Sequence, residues 1–132
     1  MNALGKTDVG LRRHENQDTF AVERLGAQTV AVVCDGMGGA EGGQIASALA
    51  VETFMSELRA LLREDMTVEQ LRELASFCVA KANTAVYQRS LEDEDCHGMG
   101  TTLVSAVAGE RGTVVCNVGD SRAYLIRGGG IT

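Results

Sequence analysis

The sequence predicts an α+β domain with antiparallel sheet and two packed helices, and three observations carry that prediction. Strand-like runs fall in two groups of three around two long helical stretches. The resulting order β-β-β-α-α-β-β-β lacks the alternation of a parallel βαβ fold. Short glycine-bearing links at Gly26 and at Gly109-Glu110-Arg111-Gly112 suit hairpins rather than crossovers. Both helical stretches also carry an apolar stripe at helical spacing.

Taken in order, residues 4–10 read as a short strand ending in Val9-Gly10. Residues 18–25 and 28–35 read as two strands joined around Gly26, the second fully buried by its apolar content. A helix is expected from Glu41 to about Glu64, where Ile45, Ala48, Leu49, Met55, Leu58 and Leu62 recur near helical spacing. A second helix is expected from about Thr67 to Arg89. Thr67 and Gln70 have the spacing of a capping box, and Leu71, Leu74, Cys78, Ala82 and Val86 form its apolar stripe. The acidic run Glu92-Asp93-Glu94-Asp95 reads as a solvated loop. Three strand-like segments, 100–109, 113–119 and 121–127, follow it.

A length of 132 residues suits one domain, and hydrophobic and charged fractions of 45% and 23% are those of a soluble globular chain. No apolar run is long enough to cross a bilayer, and the first six residues lack a secretory pattern. A cytoplasmic protein with no membrane partner is therefore expected. The net charge of −6 argues against a large nucleic-acid-binding surface. Cys34, Cys78, Cys96 and Cys116 include no C-x-x-C pair, which argues against structural zinc. Cys34, Cys78 and Cys116 lie in apolar contexts where cysteine acts as a small hydrophobe. Cys96 beside His97 makes a poor nucleophile–base pair, because catalytic partners meet in space rather than in sequence.

Asp35 closes the buried run Thr29-Val30-Ala31-Val32-Val33-Cys34 and is followed by Gly36-Met37-Gly38-Gly39. A carboxylate at a strand tip beside bare backbone suits a hard cation or a phosphate. The same Asp-Gly pair would equally mark a plain turn. A nucleotide-binding loop at Gly36–Gly43 fits poorly, since no Lys-Ser/Thr follows the glycines.

Three further segments stand with this one: Gly10-Leu11-Arg12-Arg13-His14-Glu15-Asn16-Gln17-Asp18, Gly98-Met99-Gly100-Thr101-Thr102, and Asn117-Val118-Gly119-Asp120-Ser121-Arg122-Ala123-Tyr124. In this order and spacing the four resemble the bacterial type 2C (PPM family) metal-dependent serine/threonine protein phosphatases. The resemblance implies an antiparallel β-sandwich flanked by helix pairs, a two-metal site holding Mn²⁺ or Mg²⁺, and phosphorylated proteins as substrates, made by a serine/threonine kinase. It implies that Asp35 bridges both metals and that the Gly36 carbonyl is a further ligand. Asp18 would act through metal-bound water, Arg13 would bind phosphate, and Asp120 would serve a third metal. These residue types suit the chemistry. A shared carboxylate offsets repulsion between two cations, the metal pair activates water, and a guanidinium forks onto phosphoryl oxygens.

Plainer readings stand beside these. Asp18 could cap a turn, Arg12 could replace Arg13, and Asp120-Ser121 could be a turn between strands. Gly98–Thr102 reads as structural, and His14 and His97 as surface histidines. No nucleophilic side chain is evident, since Ser47 and Ser121 lack an obvious base.

Two departures from the family pattern matter. Met37 stands where eukaryotic relatives often carry a histidine, and Gln17 where many relatives have glutamate. The family's later Ser-Asp-Gly and Asp-Asn motifs have no counterpart here. The expectation is thus the N-terminal portion, 1–132, of a single phosphatase-like domain, with the sandwich present only in part. Uncovered sheet edges would then favour self-association. A non-catalytic binding or regulatory module is the competing expectation.

Overall fold

The computed structural model describes residues 2–11, 16–39 and 41–132. Strands β1 (Asp18–Leu25) and β2 (Gln28–Met37) form an antiparallel hairpin. Helices α1 (Gly42–Leu61) and α2 (Val68–Glu92) follow, then a 3₁₀ turn at Glu94–Cys96. Strands β3 (Gly100–Thr101), β4 (Leu103–Gly109) and β5 (Gly112–Val118) complete the main sheet, and β6 (Ile126–Arg127) pairs with β7 (Gly130–Ile131). The main sheet runs β1-β2-β4-β5, with β3 also paired to β2.

Both helices pack on one face of this sheet. Alternation along β2 buries Gln28, Val30, Val32, Cys34 and Gly36 towards them, as period-two geometry requires. Phe54, Met55 and Leu58 of α1 and Leu71, Leu74 and Cys78 of α2 join Val30, Val32 and Val107 in one core. The α2 stripe lies where its spacing puts it, and the Thr67–Gln70 capping box forms. Gln70 donates its N–H to Thr67 Oγ1 at 3.1 Å, and Gln70 Oε1 accepts from the Thr67 N–H at 2.9 Å. No helix among the described residues is long and apolar enough to cross a membrane.

Four expectations change. Residues 4–10 are not a strand, because a strand needs a neighbour to pair with and none of the described strands hydrogen-bonds to them in a ladder. The first helix buries Ala46, Ser47, Ala50, Val51 and Phe54 as well as Met55 and Leu58, while Ile45, Ala48 and Leu49 are only half-buried. Its buried face includes small residues, so a stripe drawn through large side chains misplaces that face. The run 100–109 breaks at Thr102. Of 121–127 only Ile126 and Arg127 are strand, in a hairpin turned by Gly128 and Gly129 with φ of 53° and 85°. Positive φ at both loop positions is what a tight two-residue hairpin demands.

The α+β class and the antiparallel sheet are as expected. Of the expected sandwich, the described residues provide one main sheet with its helix pair.

Candidate metal centre

The end of the sheet at which β2 finishes holds Asp18, Asp35 and Gly36 of the residues singled out in the sequence. In the β1–β2 ladder Asp18 is the direct partner of Asp35. One step further the Gly36 N–H donates to the Gln17 carbonyl at 3.0 Å. Hydrogen-bonded and non-bonded pairs alternate in such a ladder, so Asp18 and Asp35 form the closer kind, on the same face. Like charges directly opposite each other repel, and a cation held between them would offset that repulsion. Asp35 is half-buried and Asp18 exposed. The Asp18 N–H donates to Asn16 Oδ1 at 3.0 Å, which fixes the entry into β1.

Asp35 is anchored from the other side by Thr102. The Asp35 N–H donates to Thr102 Oγ1 at 3.0 Å, and the Thr102 N–H donates to the Asp35 carbonyl at 2.9 Å. Thr102 is only 3% exposed, and its hydroxyl also meets Ser121 Oγ at 2.6 Å. Asn117 Nδ2 donates to the Ser121 carbonyl at 2.9 Å. This chain of bonds ties the Asp120–Ser121 turn to the strand that carries Asp35. Asp120 itself is exposed, just after Gly119, whose φ is 100°. A side chain at Gly119 would press into Thr102.

The start of α1 docks onto the same tip. A Cβ on Gly36 would collide with the Gly43 carbonyl, and one on Gly43 would run into the Gln17 amide. Two glycines therefore let the N-terminus of α1 close onto β2, and its partial positive charge faces the carboxylate end of the sheet. Gln17 Nε2 donates to the Gly38 carbonyl at 3.4 Å, a contact that glutamate in the charged form could not make. Met37 is exposed and is the ladder partner of Gly100. Gly98-Met99-Gly100 serves packing, since Met99 is buried and lies against Gly38 and Gly42.

Arg13, the expected phosphate ligand, lies outside the described residues, as do Arg12 and His14. His97 is exposed. Ser47 and Ser121 are engaged with other hydroxyls, Ser47 with Thr19 at 2.7 Å. Cys96 is buried completely, and burial followed by the charge of Asp93 pushes its thiol up. None of these groups makes a nucleophile. The acidic run 92–95 is partly ordered rather than a free loop, because Asp93 caps the 3₁₀ turn through the Asp95 N–H at 3.0 Å.

Sequence reasoning treated Thr102 as part of a glycine-rich packing element, and the structure makes it the residue that positions Asp35. The available signal was a threonine within a strand-like apolar run, since a buried hydroxyl needs a specific partner. The donor set of Asp35, Asp18 and the Gly36 carbonyl is all oxygen, which fits Mn²⁺ or Mg²⁺. Among the described residues no three His, Cys, Asp or Glu side chains converge on one point.

Known proteins share this fold. The chain is 37% identical over 131 residues to the serine/threonine phosphatase Stp of Listeria monocytogenes serotype 4b, spanning 96% of this chain and 50% of that protein. It is 38% identical over 124 residues to the protein phosphatase PhpP of Streptococcus pneumoniae, spanning 92% and 49%. The crystal structure of the Mycobacterium tuberculosis serine/threonine phosphatase PstP/Ppp superposes with a TM-score of 0.83 at 29% identity, over 96% of this chain and 50% of that one. A bacterial serine phosphatase bearing an R161E mutation superposes with a TM-score of 0.87 at 33% identity, over 96% and 57%. The chain spans about half the length of the curated relatives it matches. Protein phosphatase 2C, as a family, matches residues 12–132, and with the same fold found in bacterial phosphatases, the chain belongs to that family.

Proposed function

We propose that this chain carries the Asp35-centred part of a metal-dependent site that hydrolyses phosphoserine and phosphothreonine on proteins. Residues 1–132 would be the N-terminal portion of a single phosphatase domain acting in the cytoplasm on the products of a serine/threonine kinase. The observation that carries the reading is the direct pairing of Asp18 with Asp35 at the sheet end, beside a glycine that admits no side chain. Asp35 would hold Mn²⁺ or Mg²⁺ with the Gly36 carbonyl. Asp18 would bind through water, Asp120 would serve a further ion, and Arg13 would hold the phosphoryl oxygens. When bound, such a metal pair supplies an activated water and neutralises charge on phosphate. The protein's own contribution is to hold Asp35 rigidly through Thr102 and to keep donors of one kind, oxygen, at that end.

A test is hydrolysis of p-nitrophenyl phosphate with added Mn²⁺, beside chelated and Asp35→Asn controls. Metal-dependent turnover lost in both controls supports the reading; turnover that survives Asp35→Asn overturns the role given to Asp35. The absence of a three-residue donor cluster among the described residues favours a second reading, a phosphatase-like binding module without catalysis. Titration with Mn²⁺ separates the two: the proposed site binds the ion and loses it in Asp35→Asn, whereas a scaffold need not bind it.

A further inference from the structure

Alternation along the β1–β2 ladder leaves the Asp18–Asp35 pair without a backbone hydrogen bond of its own. Its separation is therefore set by the rungs on either side. On one side the Gly36 N–H donates to the Gln17 carbonyl at 3.0 Å; on the other stand Thr19 and Cys34. Helix α1 meets both rungs with residues one turn apart. Gly43 closes onto Gly36 and Gln17, and Ser47 Oγ meets Thr19 Oγ1 at 2.7 Å.

Ser47 is completely buried, and its hydroxyl has one proton to give. That proton goes to the Gln44 carbonyl of its own helix, at 3.3 Å, so Thr19 is the donor in the contact between the two hydroxyls. One bond thus fixes the serine on α1 and the other fixes β1 to the serine. Among the described residues the other side-chain bond between α1 and β1 runs from Arg59 Nε to Glu23, at 2.7 Å. It lies five residues further along β1 from Asp18, with both side chains partly exposed. At the carboxylate end, Ser47 is the side chain of α1 that grips β1.

We propose that Ser47 is a positioning residue for the cation: through Thr19 it holds the start of β1 so that Asp18 keeps the distance from Asp35 that an ion between them requires. It acts through Thr19 because successive residues of a strand alternate, and a Thr19 turned to the helices puts Asp18 on the opposite face. Opposed carboxylates repel, so untethered strand ends would spread, and an arriving ion would have to draw them back. Groups that orient metal ligands from outside contribute in this way to metal affinity. The role rests on the ion site proposed above.

Calorimetric titration with Mg²⁺ and with Ca²⁺ tests it, since Mg²⁺ demands a near-octahedral shell whereas Ca²⁺ tolerates an irregular one. The native chain is expected to bind both ions and Asp35→Asn neither. Ser47→Ala, with unchanged circular dichroism, should weaken Mg²⁺ binding ~10-fold and Ca²⁺ binding by less. Thr19→Val should do the same, and it decides on the same criteria if Ser47→Ala fails to fold. Thr19→Ser keeps the hydroxyl and should bind like the native chain. The double variant Ser47→Ala with Thr19→Val should be no weaker than either single one, because both act through one bond. Unchanged Mg²⁺ affinity in folded Ser47→Ala overturns the positioning role. So do equal losses for the two ions, which mean a general loosening, and additive losses in the double variant. A native chain that binds neither ion, or an Asp35→Asn variant that binds as the native chain does, overturns the ion site itself and this role with it.

Discussion

Asp35 and Thr102 hold each other by two hydrogen bonds, Asp35 N–H to Thr102 Oγ1 at 3.0 Å and Thr102 N–H to the Asp35 carbonyl at 2.9 Å. A hydroxyl thus replaces a backbone carbonyl exactly where the ladder between β2 and β4 breaks. Thr102→Val keeps the shape but leaves the Asp35 N–H without its acceptor, at a cost of ~1–3 kcal/mol. Denaturant melts should show that loss, and Thr102→Ser should recover most of it. Mn²⁺ affinity is expected to fall in the valine variant and to return in the serine variant.

The pairing of Asp18 with Asp35 separates stability from binding. Asp35→Asn removes one of two opposed charges without changing volume. In metal-free buffer it is expected to leave the chain as stable as the native one, or more stable by ~0.2–1 kcal/mol. The native chain should gain thermal stability as Mn²⁺ is added, by ligand linkage. The variant should not. A variant that still gains would move the cation elsewhere.

Gly36 has no room for a methyl group. Its Cβ position is filled by the Gly43 carbonyl, which belongs to helix backbone and cannot swing aside. Gly36→Ala should cost ~1–3 kcal/mol by overpacking, read as a lower melting temperature. Gly39→Ala, in open space, is the control and should be neutral.

Much of this arrangement is legible in the sequence because it is local. Asp35 at the end of an apolar run, the Gly26 hairpin and the Thr67–Gln70 cap all depend on neighbours a few residues away. Thr102 is different. Its partners lie 67 residues back and 19 residues on, and the apolar run around it says that a partner is needed but not which one. Residues 4–10 have strand composition but no pairing partner among the described strands, and composition cannot supply one. The buried face of α1 is hard to read for a related reason: Ala46, Ser47 and Ala50 are too small to register in a pattern of large apolar residues, yet they are fully buried.

Two buried thiols make stability depend on alkaline pH. Burial pushes Cys34 up to about 12 and, with Glu57 and Cys116 adding to it, pushes Cys78 up to about 11. In the unfolded chain both ionise near the ordinary cysteine value of ~8.5. Between that value and the folded ones the native state binds more protons than the unfolded state. Stability therefore is full below about pH 8.5 and falls as pH rises. Denaturation midpoints measured from pH 7 to pH 10 should decline over the upper part of that range. The double variant Cys34→Ala with Cys78→Ala should start lower, because it opens cavities in the core, but its decline should be shallower. Equal slopes in the two proteins would assign the alkaline loss to other groups.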